Sequence, residues 1–329
     1  MKLRLTLLRA AGVAATAALL ASCGGGTSNG LVPFNPARIL VFGDQASVIT
    51  VAPVASEGRK YTINAVDPDT GVFVCGKNLI WIQLLAVNYG MGFPQCPLAT
   101  GAAPTAGRIL AQAGATAGGQ DAIDLTRQIT DQLELPAADG GGIGATDLVA
   151  VYIGVNDVIS AFELYKKGTI TRADAIARAE QAGSTYAAQV NRIANAGGKV
   201  IMATVPSVGV TPYANAQADL ADRTLLTTLT ERVNARLLVN IDNNGRKIGL
   251  IEINPYVAAV VGNPSARGYD NVKDAACLKE VPVLECTSKT LKPTASAAAW
   301  LWADELQLSP QGHAQLGNLA TTRARNQPF

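Results

Sequence analysis

The stretch RILVFGDQAS (38–47) reads as a buried strand that ends at a polar turn. Four consecutive apolar residues follow Arg38, and then come Gly43, Asp44 and Gln45. A continuous apolar run of this kind is typical of a strand that is covered on both faces. The outline is that of a strand leading to a reactive turn. The residue at the turn, however, is Gln45, whose carboxamide is not a nucleophile.

Further strands and helices alternate after this first strand. Apolar runs that read as buried strands are found at 147–157, 199–206 and 247–254. Between them, apolar residues recur at helical spacing from Ile176 to Ile193 and from Leu225 to Ile241. Ser309 and Pro310 open a last helix that runs to about Arg325. The alternation predicts an α/β fold: a three-layer α/β/α, doubly wound, mostly parallel sheet that binds ligands at the carboxyl ends of its strands.

The N-terminus has the pattern of a processing segment. Lys2, Arg4 and Arg9 precede a short apolar run over 10–20, which leads into Leu-Ala-Ser-Cys at 20–23. This tetrapeptide resembles the lipobox of bacterial lipoproteins, which implies cleavage before Cys23 and lipidation of its thiol. An ordinary secretory signal with an incidental cysteine is the alternative interpretation.

These features predict three regions in a bacterial cell-envelope protein. We expect a lipoprotein signal peptide over 1–22, a flexible Gly/Ser-rich tether over 23–36 and a single domain over 37–329. The lipid on Cys23 would anchor the protein to a membrane, in the periplasm or at the outer membrane.

Charge excludes one class of partner. The chain has 27 basic and 25 acidic residues, and removal of 1–22 leaves 24 basic residues and a net charge of −1. No run of Lys or Arg survives in the mature chain, so nucleic acid is not an expected partner. The sequence does not indicate an oligomeric state.

Four cysteines besides Cys23 predict two disulfides in an oxidising compartment. Three pairings are open, and we favour the local one, because each pair lies within one polar, loop-like region: Cys75–Cys96 and Cys277–Cys286. A zinc site is the competing interpretation. The sequence has no CxxC, and His313 is its only histidine, so no metal or other cofactor is expected.

Three segments resemble the sequence blocks of the SGNH, or GDSL, ester hydrolases. VFGDQAS (41–47) is similar to the first block, a hydrophobic strand followed by Gly-Asp-Ser. IGVND (153–157) is similar to the third block, Gly-x-Asn-Asp, and LWADELQLSPQGH (301–313) to the fifth, Asp-x-x-His before a helix. GRILAQAGA (107–115) weakly resembles the glycine-bearing second block. The resemblance implies the SGNH-hydrolase, flavodoxin-like fold.

The resemblance also assigns roles to residues of this chain. It places Gln45 at the nucleophile, Gly114 and Asn156 at the oxyanion hole, Asp304 as the supporting carboxylate and Gln307 at the base. Both the serine and the histidine of the family pattern are therefore replaced by glutamine. A carboxamide has no pKa near neutrality, so neither residue can perform the acid–base or nucleophilic step.

Two neighbours are candidate substitutes. Ser47 lies two residues after Gln45, where its hydroxyl should point to a different side of the turn. His313 lies in the first turns of the last helix, and we expect it to be a partly solvated surface residue rather than a relocated base.

Three functions compete at this stage. In the first, an envelope lipoprotein with a degenerate triad binds an acyl or acetylated ligand without turning it over. In the second, the protein is an active carboxylic-ester hydrolase that uses Ser47 or His313. In the third, it is a structural or partner-binding lipoprotein whose cleft has no role.

Overall fold

The computed structural model describes residues 34–98, 106–242 and 245–329. The predicted signal peptide, Cys23 and the tether up to residue 33 lie outside these residues. Two disulfides join Cys75 to Cys96 and Cys277 to Cys286, which confirms the local pairing.

The centre of the domain is a five-stranded parallel sheet with the strand order β2-β1-β3-β4-β5. The predicted α/β fold is confirmed, and each predicted strand is present in a shorter form. The short edge strand β2 was not predicted. The bounds are β1 Arg38–Gly43, β2 Gly107–Ile109, β3 Asp147–Tyr152, β4 Lys199–Ala203 and β5 Ile248–Ile251.

Helices lie on both faces of this sheet, including the three that the sequence predicted. Ser309 caps the last of them by accepting a hydrogen bond from the Gly312 N–H at 3.2 Å. The bounds are α1 Trp81–Val87, α2 Leu125–Glu134, α3 Val155–Lys166, α4 Arg172–Asn195, α5 Pro212–Asn215, α6 Leu220–Asn240, α7 Ile253–Gly262 and α8 Pro310–Asn326.

Alternate residues of β1 point into two separate hydrophobic cores. Ile39 and Val41 pack in a cluster with residues of α1, α7 and α8. Leu40 and Phe42 pack in a second cluster with residues of α2, α4 and α6. Because both faces of the strand are buried, its sequence is continuously apolar. This arrangement gives the three layers that the sequence predicted.

The carboxyl end of β3 shows why the strand is shorter than its apolar run. The chain turns at Gly154, which has φ of +121°, and α3 begins at Val155. A Cβ at position 154 would lie 2.5 Å from Cγ2 of Val205, so both the backbone conformation and the space favour glycine. The turn places Asn156 in the first turn of α3, at the carboxyl edge of the sheet.

A second, two-stranded parallel sheet lies outside the central one. It pairs β6, Asn271–Ala275, with β7, Trp300–Trp302. The sequence did not predict it, because its strands are short and only Val272 and Ala275 of β6 are apolar. Strand β7 leads directly into the loop that carries Asp304 and Gln307. Among the described helices, none is both long and apolar enough to span a bilayer.

Candidate functional site

Gln45 begins a short 3-10 helix, 45–47, directly after β1. The side chain of Asp44 caps this turn by accepting a hydrogen bond from the Ala46 N–H at 3.0 Å. The Gln45 side chain is almost completely buried. Its position at the carboxyl end of a central strand is where ligands bind in this class of fold.

The carboxamide of Gln45 binds the two groups assigned to the oxyanion hole. Its Oε1 accepts hydrogen bonds from the Gly114 N–H at 3.1 Å and from Nδ2 of Asn156 at 2.9 Å. Its Nε2 donates to Oδ1 of Asn156 at 3.1 Å, so the two carboxamides bond reciprocally. The Gly114 N–H can only donate, which requires that Oε1 rather than Nε2 faces it. Gln45 therefore places its own carbonyl oxygen between the two donors.

The backbone around Gly114 is held from two sides. Gly114 has φ of +84°, a conformation that favours glycine. Nδ2 of Asn156 donates a second hydrogen bond, to the Ala115 carbonyl at 2.8 Å. Asp157 accepts hydrogen bonds from the N–H groups of Ala117 and Gly118, both at 2.8 Å. Consecutive residues of α3 thus fix the loop that presents the Gly114 N–H to Gln45.

Two buried carboxyl groups lie near this network. Burial raises the pKa of Asp44 to about 7, and the charge of Asp157 adds to that shift. Burial likewise raises the pKa of Asp157 to about 6, although its two backbone hydrogen bonds oppose the change. The sequence analysis did not assign roles to either residue. The sequence did contain a signal for both, because Asp44 directly precedes Gln45 and Asp157 directly follows Asn156.

The Asp304 carboxylate stabilises the loop in which it lies. Its Oδ1 accepts hydrogen bonds from the N–H of Leu306 at 2.8 Å and from the N–H of Gln307 at 2.6 Å. The Ala303 N–H also donates to the Gln307 carbonyl at 2.8 Å. Burial raises the pKa of Asp304. The carboxylate therefore contacts the backbone of residue 307, and it orients the segment in which the family pattern has a histidine.

The Gln307 side chain lines a cavity of about 650 Å³ instead of joining the Gln45 network. Within the described parts of the chain, its carboxamide has no hydrogen-bond partner. The cavity lies between the 304–307 loop, α5, β6 and the segment 277–283. Its volume falls in the range of ordinary small-molecule sites, about 300–1,000 Å³. The structure thus brings Gln45, Gly114 and Asn156 together in one hydrogen-bond network, whereas Asp304 and Gln307 line a cavity to which none of those three residues contributes.

Ser47 is fully buried. Its Oγ accepts a hydrogen bond from Nε1 of Trp81 at 3.1 Å, on the face of the sheet that α1 covers. No histidine or carboxylate contacts it among the described residues. Its hydroxyl has neither a base to activate it nor a path to substrate.

The prediction that His313 is a partly solvated surface residue is wrong, because its side chain is fully buried. Neither ring nitrogen has a hydrogen-bond partner within the described residues. Burial, together with the nearby charge of Lys60, lowers the pKa of His313 to about 3. The imidazole is therefore neutral at physiological pH and is shielded from solvent.

Lys60 is a second buried group that the sequence analysis did not identify. Its Nζ donates hydrogen bonds to the carbonyls of Cys75 at 2.8 Å, Lys77 at 2.6 Å and Asn78 at 2.9 Å. Burial lowers the pKa of Lys60 to about 7. These contacts hold the segment that contains the Cys75–Cys96 disulfide. No cluster of three or more potential metal ligands occurs among the residues that the structure describes.

Residues 56–320 match the family model of the GDSL-like lipase/acylhydrolases. The chain belongs to this family. The match includes Gly114, Asn156, Asp304 and Gln307, whereas Gln45 precedes it. In this GDSL-family domain, Gln45 is connected to the matched region by its hydrogen bonds to Gly114 and Asn156.

Solved structures of several hydrolases are similar to this GDSL-family chain. An extracellular lipase from Streptomyces rimosus is 17% identical over 88% of this chain and 99% of that one, with a TM-score of 0.44. A phospholipase A1 from Streptomyces albidoflavus is 14% identical over 88% and 99%, with a TM-score of 0.41. An acetylxylan esterase from Geobacillus stearothermophilus is 11% identical over 89% and 96%, with a TM-score of 0.41.

These similarities are too distant to assign a substrate, and the family membership rests on the sequence match alone. A comparison with curated protein sequences finds no match.

Proposed function

We propose that this GDSL-family protein is an envelope lipoprotein that binds an acyl or acetylated ligand and does not hydrolyse it. The observation that carries the proposal is the reciprocal hydrogen bonding of Gln45 and Asn156, with the Gly114 N–H on the same Gln45 oxygen. In an ester hydrolase, such donors stabilise the negative charge that develops on the substrate oxygen. Here a side chain of the protein itself satisfies them.

The chemistry of the two glutamines supports the same conclusion. Hydrolysis by a serine mechanism requires a hydroxyl that can be deprotonated and a base that accepts its proton. Gln45 and Gln307 provide neither. Asp304 is still present, but it bonds to backbone N–H groups, and no imidazole stands at position 307 for it to orient.

The alternative of an active hydrolase finds no support in the geometry. Ser47 and His313 are both fully buried, and each lies in a packed region. The unprotonated imidazole of His313 has no hydroxyl within hydrogen-bonding distance among the described residues. A nucleophile and its base must lie within hydrogen-bond reach of each other, so these two residues do not form a catalytic pair.

The cavity beside Gln307 supports ligand binding over a purely structural role. Gln307, the residue at the position of the family's base, lines this cavity. The proposed membrane anchor at Cys23 rests on the Leu-Ala-Ser-Cys sequence alone.

Paired reversion tests the assignment of Gln45 and Gln307. Wild-type protein should not react with a serine-directed phosphonate probe or hydrolyse short-chain esters. The double variant Gln45→Ser with Gln307→His should gain both activities, since Gly114, Asn156 and Asp304 remain in place. Each single variant should gain little, because triad members act as a unit.

The outcomes separate the competing functions. Wild-type esterase activity that is abolished by Ser47→Ala would show an active enzyme with a different nucleophile. A folded double variant with no labelling would show that the nucleophile or the base has been misplaced. A ligand-induced rise in the melting temperature of the wild type distinguishes ligand binding from a purely structural role.

A further inference from the structure

The cavity beside Gln307 combines an apolar wall with ammonium groups. Lys273 on β6, Lys279 in the segment that follows, and Lys292 are among its lining residues. The apolar part of the wall consists of Ala216, Leu278, Val281, Pro282, Val283 and Leu306. A site of this composition suits a ligand that has both a charged and an apolar part.

The three lysines are not neutralised by the protein. Among the described residues, none of Lys273, Lys279 and Lys292 forms an ion pair. Lys273 and Lys279 are exposed, whereas Lys292 is half-buried. An ammonium group that is partly withdrawn from water without a counterion is unfavourable unless a ligand supplies the charge.

Three carboxylates also line the cavity, but two of them are already engaged. Asp274 accepts a hydrogen bond from Nδ2 of Asn271 at 2.8 Å. Asp304 accepts two backbone N–H groups, as described above. Glu305 is exposed, and its side chain has no hydrogen bond within the described residues. The ammonium groups of the three lysines, by contrast, have no hydrogen-bond partner among the described residues.

The wall that carries the lysines is rigid. The Cys277–Cys286 disulfide closes the segment that contains Lys279. The Lys292 N–H donates to the Ala276 carbonyl at 2.9 Å, and the Leu278 N–H donates to the Thr290 carbonyl at 3.0 Å. These bonds hold Lys279 and Lys292 on one scaffold, so little ordering is needed when a ligand binds.

We propose that this cavity binds an anionic amphiphile, with a carboxylate or phosphate head group held by Lys279 and Lys292 and an alkyl chain along Leu278, Val281 and Val283. The inference rests on the proposed ligand-binding function and specifies the ligand class. Lys273 adds positive charge at the rim of the same cavity.

Calorimetric titration of the mature protein with single-chain amphiphiles, below their micelle concentrations, tests the head group. Decanoate and decyl phosphate should bind, whereas decanol should bind at least tenfold more weakly and decyltrimethylammonium should not bind. From octanoate to decanoate the affinity should rise by about fourfold per methylene, which corresponds to about 0.8 kcal/mol. A preference for decanoate over decyl phosphate would indicate a free fatty acid, and the reverse order would indicate a phosphate-bearing lipid.

Lysine variants locate the site. The double variant Lys279→Gln with Lys292→Gln should weaken decanoate binding by about tenfold or more and leave decanol binding unchanged. Lys167→Gln, which alters an exposed lysine outside the cavity, is the matched control. A melting curve of each variant excludes unfolding as the cause of a loss.

Three results would overturn the inference. If decanol or methyl decanoate binds as tightly as decanoate, the head-group assignment is wrong, although the proposed ligand-binding function stands. If the double lysine variant binds decanoate like the wild type, the site lies elsewhere. If no amphiphile binds, the proposed ligand class is wrong. The test of Gln45 and Gln307 by paired reversion would still stand.

Discussion

At the scale of single residues, Gln45 has a structural role in place of a chemical one. The donors around Gln45 are part-buried, and a donor that is withdrawn from water without a partner costs free energy. The Gln45 oxygen accepts from both donors, and its amide nitrogen satisfies the remaining acceptor of Asn156. The hydrogen bonds of Gln45 therefore satisfy the groups that the proposed function assigns to the oxyanion hole.

Removal of the Gln45 carboxamide should destabilise the protein. Gln45→Ala removes the partner of the part-buried Gly114 N–H and Asn156 side chain, and we expect a loss of about 0.5–1.5 kcal/mol in the free energy of unfolding. Urea denaturation measures this loss, with Gln112→Ala as a control at an exposed position. Acetamide should restore part of the stability of Gln45→Ala by entering the vacated space, and an equal effect of acetamide on the wild type would contradict the assignment.

His313 gives the second prediction at this scale, which concerns pH. Its pKa in the folded protein is about 3, below the ordinary value of 6.5, so between these values only the unfolded chain binds the proton. The contribution to stability is present above about pH 6.5 and is lost as the pH falls towards 3. As the pH falls from about 6.5 to 3, the unfolding free energy of the wild type should therefore decrease relative to that of His313→Leu. Parallel pH profiles of the two proteins would show that His313 titrates normally.

At the scale of helices, strands and loops, the disulfides hold the segments that lie outside the central sheet. Cys75–Cys96 spans 21 residues and Cys277–Cys286 spans 9. The first joins the Lys60-bound segment to the chain after α1, and the second closes a wall of the cavity beside Gln307. The loop closed by Cys75–Cys96 contains only the seven-residue helix α1, so the cross-link adds to the few regular hydrogen bonds there.

Replacement of either cysteine pair by serine should lower the free energy of unfolding by about 2–4 kcal/mol, with the larger loss for Cys75–Cys96, because it closes the longer loop. Chemical denaturation of the two double variants shows which disulfide contributes more to the free energy of unfolding. Loss of Cys277–Cys286 should in addition weaken ligand binding at the cavity. Equal binding by that variant and the wild type would show that the wall does not depend on the cross-link.

The sequence predicted long, locally determined elements well and missed those that depend on packing. Continuous apolar runs identified β1, β3, β4 and β5, because burial on both faces of a strand leaves a local signature. The parallel pairing of β6 with β7 depends on distant segments and leaves almost none. His313 was assigned to the surface, although it shares the buried face of α8 with Leu316, Gly317 and Ala320 at helical spacing, and that periodicity was the missed signal.

The candidate site was predictable as a set of positions and not as a bonding pattern. Family resemblance singled out Gln45, Gly114 and Asn156, but it did not show that the Gln45 oxygen bonds to both donors. That result depends on side-chain rotamers and distances of about 3 Å, which motif spacing does not encode.

At the scale of the whole molecule, the chain combines a GDSL-family domain with the proposed membrane anchor at Cys23. The domain described from Phe34 onwards has its own cores and needs no membrane contact to bury them. A lipid on Cys23 would confine this domain to a bilayer surface, and the proposed amphiphilic ligands would be concentrated there.

Cys23→Ala tests the anchor. The variant should remain unprocessed or be released from the membrane fraction, because the thiol is the proposed site of lipidation. Fractionation and mass measurement of the mature N-terminus decide between these results. A variant that is processed normally and still fractionates with membranes would show that the lipoprotein interpretation is wrong.

The Gln45–Asn156 pair also constrains how this lineage can change. A mutation that restores serine at position 45 removes the bonds to Asn156 and gains no turnover while residue 307 remains glutamine. A mutation that restores histidine at 307 alone gains nothing either, because it has no hydroxyl to activate. On the proposed assignment neither single mutation gains turnover, so hydrolysis would return only when both are present. Selection for hydrolysis would then act only on the double change, and the hydrogen bonds that Gln45 makes to Gly114 and Asn156 add a stability cost to serine at position 45.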